Sequence, residues 1–277
     1  MPSASCAVTV IATTPDFPNL PAGMTLVSDV TFDAPGKLPP SGSFDPNTRW
    51  QRVSGPIDIG SGAAVGCPSG PYGDTVLRGK FALNFNNGVG VAPFSMDMQF
   101  GSTATTVYRE VYYKLWLCYQ SGWMTQTDSI QSGRGHKFAW WQMTANSVKK
   151  GNHFWAAYDF TPPTIDHRFQ FVTQPAGGST MTGRTYRAGT NGNILPDGAW
   201  HQLELYTNVG SPGATGTMQA WLDQVLVLNR TNIEITPADM TAAPGYRGIK
   251  WNPTWSAQNC PQTQYISIAR WAVYIKA

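Results

Sequence analysis

GAWHQLELYTNVGSPGATGTMQAWLD, residues Gly198–Asp223, is two alternating runs joined by a connection of Gly, Pro, Ser and Thr. In the first run Trp200, Gln202, Glu204 and Tyr206 fall on one side and His201, Leu203 and Leu205 on the other. That period of two belongs to a strand with unlike faces. In the second run Met218, Ala220 and Leu222 share one face, and Thr217, Gln219, Trp221 and Asp223 the opposite one. The connection Asn208–Gly216 holds too much Gly and Pro to continue either element, so the stretch predicts a β-hairpin of a sandwich.

The same alternation recurs outward from it. It predicts strands beginning near Met24 and at Trp50–Val53, Asp74–Asn86, Val107–Tyr119, His136–Met143, His153–Phe160, Arg168–Val172 and Tyr265–Ile275, separated by turn-rich links. Pro35–Arg49 and Ile57–Asp74 read as long loops, used in contacts or as surface decoration. Pro237–Met240, behind Thr236, reads as about one turn of helix. Before Met24 a short apolar run, Cys6–Ala12, leads into TTPDFPNLPAG, whose prolines exclude regular structure. Residues 1–23 are expected to form an extended N-terminal arm, lying across its own domain or onto a neighbouring subunit. Residues 24–277 are expected to form one all-β domain of two antiparallel sheets with long Gly/Pro-rich loops.

Composition agrees with a turn-rich, weakly charged protein. Gly (28) and Pro (21) make up 49 of 277 residues and charged residues only 13%, about half the usual share of roughly 25%. The 11 tryptophans either fill the space between sheets or line a groove where sugars stack. A formal charge of +3 with no basic run longer than Lys149–Lys150 argues against a nucleic-acid surface. No apolar run approaches the roughly 18 residues of a membrane span, and Ala4–Ala12 lacks the basic flank and length of a secretory signal. No signal peptide is therefore expected in this chain, although its composition suits an extracellular or virion-associated protein. Four cysteines fit no metal spacing. Cys67 and Cys260 each precede proline and are the expected disulfide pair, with Cys118 packing as a small hydrophobe. Asp128, Asp159, Asp166 and Asp223 lack the clustering of a Ca²⁺ site, so neither metal nor cofactor is expected.

GAWHQLELY, TMQAWLDQVLVLNRTNIEI, and RGIKWNPTWSAQ followed by QYISIARWAVYIKA resemble the concanavalin A-like jelly rolls, which include polysaccharide lyases and laminarinase- or lectin-type domains. The likeness runs from about Val107 to the end. It is strongest to lyase-like members whose C-terminal third reads W-H-x-x-E, W-x-D-G and K-W-x-P-T-W-G-G. The resemblance implies a jelly-roll sandwich and a saccharide ligand. This chain departs from the pattern at Asp223–Gln224, where a glycine is usual, and at Trp255–Ser256–Ala257. The Arg-rich, Gln-x-His and Tyr-x-Lys-x-Gly-x-Tyr strands of alginate-lyase-like members are not intact. Tyr108–Arg109–Glu110 echoes the first in part.

Candidate ligand-binding residues follow from the longest strand. Tyr108, Glu110, Tyr112, Lys114 and Trp116 alternate along one face, rings offering platforms for sugar C–H groups and charges offering directional hydrogen bonds. Trp140, Gln142 and Trp155 extend the expected glycan surface. Ordinary cross-strand pairing on a solvated sheet is the alternative. β-Elimination would need Arg109 or Lys114 to neutralise a carboxylate, His136 or His153 as base and Tyr112 or Tyr158 as acid. His201 alternates with buried leucines and is expected to be structural. A laminarinase-like pair of carboxylates has no support in the isolated Glu110, Asp159, Glu204 and Glu234. The expected function is a noncatalytic glycan-binding or surface-displayed module, such as a virus-particle decoration or adhesion protein, whose arm contacts other subunits. The alternative is a polysaccharide lyase acting on an anionic glycan.

Overall fold

The computed structural model describes residues 16–38, 41, 49–85, 92–101, 106–123, 135–143, 152–158, 168–174, 184–187, 197–211, 215–235, 245–253 and 260–277. From 135 to 187 the description is of backbone and strand register. The architecture is two antiparallel sheets packed face to face. One sheet, A, runs β13(Val225–Ile233), β12(Gly216–Leu222), β11(Trp200–Asn208), β6(Glu110–Tyr119), β15(Gln264–Lys276), β4(Thr75–Phe81), β3(Ile57–Ser61), with β1(Thr25–Thr31) also paired to β15. The other, B, runs β10(Arg184–Arg187), β9(Arg168–Gln174), β8(Asn152–Tyr158), β7(Gly135–Met143), β14(Tyr246–Trp251), β5(Ser95–Gln99), β2(Trp50–Ser54). β15 is long enough to pair with β4 through Gln264–Ile268 and with β1 through Arg270–Ile275.

Aromatic side chains from both layers meet in the middle, where they remove large apolar areas from water. Trp271 of sheet A, with Tyr113 of the same sheet beside it, lies against Trp50 and Trp251 of sheet B, with Trp50–Trp271 ring centroids 4.8 Å apart and Trp251–Trp271 6.2 Å. All four are fully buried. Core filling accounts for these three tryptophans, and Trp123 joins the same cluster.

The opening hairpin forms as read, β11 pairing with β12 from Leu203↔Leu222 to Asn208↔Thr217. Five strands were not predicted. β3 lies inside the segment read as the loop Ile57–Asp74, and β5, β10, β13 and β14 lie outside the predicted strands. β3, β5 and β10 have five residues or fewer, too short to establish a period. The predicted helical turn at Pro237–Met240 lies outside the described residues.

The β12–β13 turn keeps its tight geometry without the usual glycine. Leu222 pairs directly with Val225, and Asp223 and Gln224 take φ of 49° and 69°. The Asp223 carboxylate stabilises its side of the turn, accepting from Gln202 N–H at 2.8 Å and lying 2.7 Å from His201 Nδ1. Burial pushes that carboxyl up, but these two partners outweigh it and leave it below the usual carboxylate range. Gln224 has no such compensation among its hydrogen bonds at the turn. Gln224→Gly is therefore expected to raise unfolding free energy by about 1 kcal/mol, read as a higher urea midpoint at unchanged slope.

Candidate functional site

Each sheet has an outer face, and the candidate residues divide between them. On sheet A the alternation predicted for β6 holds from Glu110 onward. Tyr113, Leu115 and Leu117 face the core, while Glu110, Tyr112, Lys114 and Trp116 face outward in register with Asn208, Tyr206, Glu204 and Gln202 of β11. Tyr108 does not belong to that face. The chain bends at Arg109, and Tyr108 packs instead against the main core, its ring 6.4 Å from Phe100.

The outward face is roofed rather than open. Tyr112 is 0% exposed and Lys114 only 7%. Residues 16–23 of the expected arm, and Met24 after them, lie across it, Phe17, Leu20 and Met24 packing on Tyr112, Tyr206, Trp221 and Tyr274 as a second small apolar cluster. Beneath them the fully buried Glu204 carboxylate accepts from Tyr112 Oη at 2.6 Å, Gln202 Nε2 and Asn19 Nδ2 at 3.0 Å. Lys114 Nζ stands 4.0 Å from Glu204 and donates to the Asp16 carbonyl. Burial holds the Lys114 ammonium below its ordinary range although Glu204 opposes the shift, and burial with the Glu204 bond drives the Tyr112 phenol far up. Both Lys114 and Arg270 approach the Phe17 ring, at 5.1 and 5.2 Å.

A loop covers the adjoining part of this face. Cys67 is bonded to Cys118, with Cα atoms 6.2 Å apart, so the expected Cys67–Cys260 pair is corrected. Cys118 is not a packing residue. It follows Leu117 onto the outer side of β6 and meets the loop there, whereas Cys260 is a buried free thiol 3.0 Å from the Gln262 carbonyl. Trp200 Nε1 donates to Pro68 O at 2.7 Å, and Arg270 to Tyr72 Oη at 2.8 Å, which seats the loop further.

At the rim of sheet A, Arg109 donates to the Gly210 carbonyl and Glu110 accepts from Tyr206 Oη at 2.7 Å and pairs with Lys276 at 3.3 Å. Arg109, Glu110, Asn208 and Thr215 line a pocket of about 400 Å³. Its charged groups are engaged in these structural bonds.

Sheet B presents a different surface. Met96 and Met98 of β5 and Ile249 and Trp251 of β14 fill the core, and between them Asp97 and Lys250 point outward, partly exposed, with Nζ 3.7 Å from Oδ1. Burial raises the Asp97 carboxyl despite the nearby Lys250. Register extends this pair into one row across the sheet, Gln51–Asp97–Lys250–Trp140–Phe154–Val172–Thr185. Gln142 stands opposite Gly248, which pairs with Gln99. Trp140 of the predicted glycan surface thus shares a row with the polar outward pair, and Gln142 shares one with Gly248 and Gln99. His153 occupies the neighbouring row, beside Trp141, Ile249 and Met98. His136 pairs with Ala157, Trp155 with Ala139 and Phe171, and Tyr158 with Gly135 and Arg168.

The structure therefore brings Tyr112 and Lys114 together, with Glu204 between them, but sets them on the far side of sheet A from the core. His136, His153 and Tyr158 belong to sheet B. The candidate bases and the neutralising cations therefore belong to different sheets. Sequence reasoning missed Asp97 and Lys250, which lie in short strands whose pairing no local pattern reveals. Among the described residues no group of three or more His, Cys, Asp or Glu could hold a metal ion, and no helix is long and apolar enough to cross a membrane.

No family model matches the sequence, and no curated protein matches it by sequence. Solved structures do match. An alginate lyase from Chlorella virus is similar over 82% of this chain and 93% of its own, at 11% identity and TM-score 0.56. A carbohydrate esterase from the Shiga toxin-encoding bacteriophage phi24B aligns over 92% of this chain and all of its own, at 12% identity and TM-score 0.49. The binding domain of botulinum neurotoxin DC aligns over 83% of this chain and 43% of the other, at 9% identity and TM-score 0.47. Identity this low speaks to fold alone: the chain is an all-β sandwich of two antiparallel sheets, similar in fold to the alginate lyase.

Proposed function

We propose that the chain is a noncatalytic glycan-binding module that holds its ligand on the outer face of sheet B. The observation that carries this reading is the row in which the partly exposed Asp97–Lys250 pair continues in register to Trp140, with Gln142 two residues on. A tryptophan in register beside a carboxylate and an ammonium suits a saccharide, which offers apolar C–H faces and hydroxyl groups around its edge. The division of lyase candidates between two layers favours binding over β-elimination. The Cys67–Cys118 disulfide supports an oxidising, extracellular setting, since such bonds are rare in reducing cytosol. Display on a cell or virus particle, with contacts to other subunits, fits this setting.

Because the fold is shared with an alginate lyase, alginate oligosaccharides are the first ligands to test by calorimetry. Trp140→Ala is expected to weaken binding about tenfold, the scale of one lost aromatic contact at about 1.4 kcal/mol, while Tyr112→Phe leaves it unchanged. Unchanged binding by Trp140→Ala would remove sheet B as the site. Steady release of unsaturated uronate product would replace this reading with the lyase one.

A further inference from the structure

We propose that the Asp16–Ala22 segment exchanges between two copies of the chain, the outer face of sheet A acting as a receptor for the partner's segment. Three features of the contact lead there. The segment forms no strand ladder with the sheet. Its polar bonds to the sheet are the Asp16 carbonyl to Lys114, the Asp16 carboxylate to Arg270 at 3.2 Å and the Asn19 amide to Glu204. Its apolar seat is Phe17 and Leu20 on a tyrosine–tryptophan floor, beside Met24 on the β1 side of the join. Every one of these contacts is made by a compact unit that would fit an identical copy of the face equally well.

The receptor is also incomplete without an occupant. Lys114 and Glu204 are buried charges, and Asp16 and Asn19 supply part of what satisfies them. Leaving such groups unpartnered and dry is costly, so the face selects for any copy of this segment. Pro18 and Pro21 fix two φ angles and reduce the entropy lost on docking.

The join to β1 is a single-residue hinge. Gly23 is exposed and adopts φ 75°, and the nearest atom to an added Cβ there is Lys276 Cε at 3.8 Å. Rotation at Gly23 would lift residues 16–22 without breaking any sheet pairing. Since the same bonds re-form on the neighbour, hinge conformation and concentration decide between the closed monomer and the exchanged dimer. Sheet B takes no part, so glycan binding and exchange are separable.

The test acts on the hinge in the full chain. Proline holds φ near −65°, so Gly23→Pro forbids the closed turn. Deletion of Ala22 and Gly23, both exposed, shortens the hinge by an independent route. Sedimentation is expected to show both variants dimerising at least tenfold more tightly than the wild type. Adding Phe17→Ala and Asn19→Ala is expected to return them to monomers. Amine acylation read by mass spectrometry should find Lys114 protected in the hinge-variant dimers and reactive once Phe17 and Asn19 are replaced. Hinge variants that remain monomeric, or dimers that persist without Phe17 and Asn19, would overturn the proposal. Glycan titration of the same proteins reads the sheet B site separately, so failure of either proposal is visible alone.

Discussion

Replacing Cys118 with serine, or reducing the wild-type protein, is expected to lower unfolding free energy by about 4 kcal/mol, the chain-entropy value for a loop of this length. The bond links positions 51 residues apart and joins a surface loop to the central strand of sheet A. Its loss has a local consequence as well. The loop carries Pro68, which accepts from Trp200, and Tyr72, which accepts from Arg270, so its release opens one half of the roof over sheet A. Denaturant midpoints with and without reductant measure the effect. Cys260→Ser should keep the full reductant sensitivity, because Cys260 is a free thiol. Equal midpoints for reduced and oxidised wild type would contradict the pairing.

The pairing also shows where sequence reading stops. Alternation along β6 was legible because a two-faced strand repeats every second residue; the structure continues it with Leu117 inward and Cys118 outward, where the sequence reading had Cys118 packing as a small hydrophobe. What covers an outward residue is settled by distant chain, here the segment Gly62–Asp74, and proline adjacency carried no information about it. The same limit explains Tyr112 and Lys114. Their face of rings and charges looks like a sugar surface in sequence, but residues 16–24 occupy it. The polar partners found there, Asn19, Gln202 and Glu204, come from two other elements. On sheet B the gap was different. Trp140 and Gln142 were legible as ring and amide, whereas their register with Lys250 and Asp97 depends on two short strands from remote parts of the chain. The hairpin turn was the reverse case, since Asp223–Gln224 adopts the geometry that its missing glycine seemed to deny.

Glu204→Ala is expected to cost about 3–5 kcal/mol, the range for breaking a buried charge pair from one side. The carboxylate is fully buried and is the shared acceptor for Tyr112, Gln202 and Asn19, with Lys114 beside it. Truncation leaves three donors and an ammonium without their acceptor in a space the Phe17 segment closes to water. Glu204→Gln should cost less, because a carbonyl oxygen remains to accept from Tyr112. The double replacement Lys114→Met with Glu204→Leu should recover only the part of the loss owed to the ammonium, since Tyr112, Gln202 and Asn19 still lack their acceptor. Lys114 also leaves a signature in pH. Its folded-state pKa lies below the ordinary 10.5, so the unfolded chain binds the extra proton in that window and stability rises with pH up to 10.5. Lys114→Met removes this contribution. A thermodynamic cycle over the four proteins, measured by urea unfolding, would show a coupling of about 2 kcal/mol or more if the two charges act together. Additive losses would mean that Glu204 serves the tyrosine and amide donors, and that Lys114 is held by the Asp16 carbonyl alone.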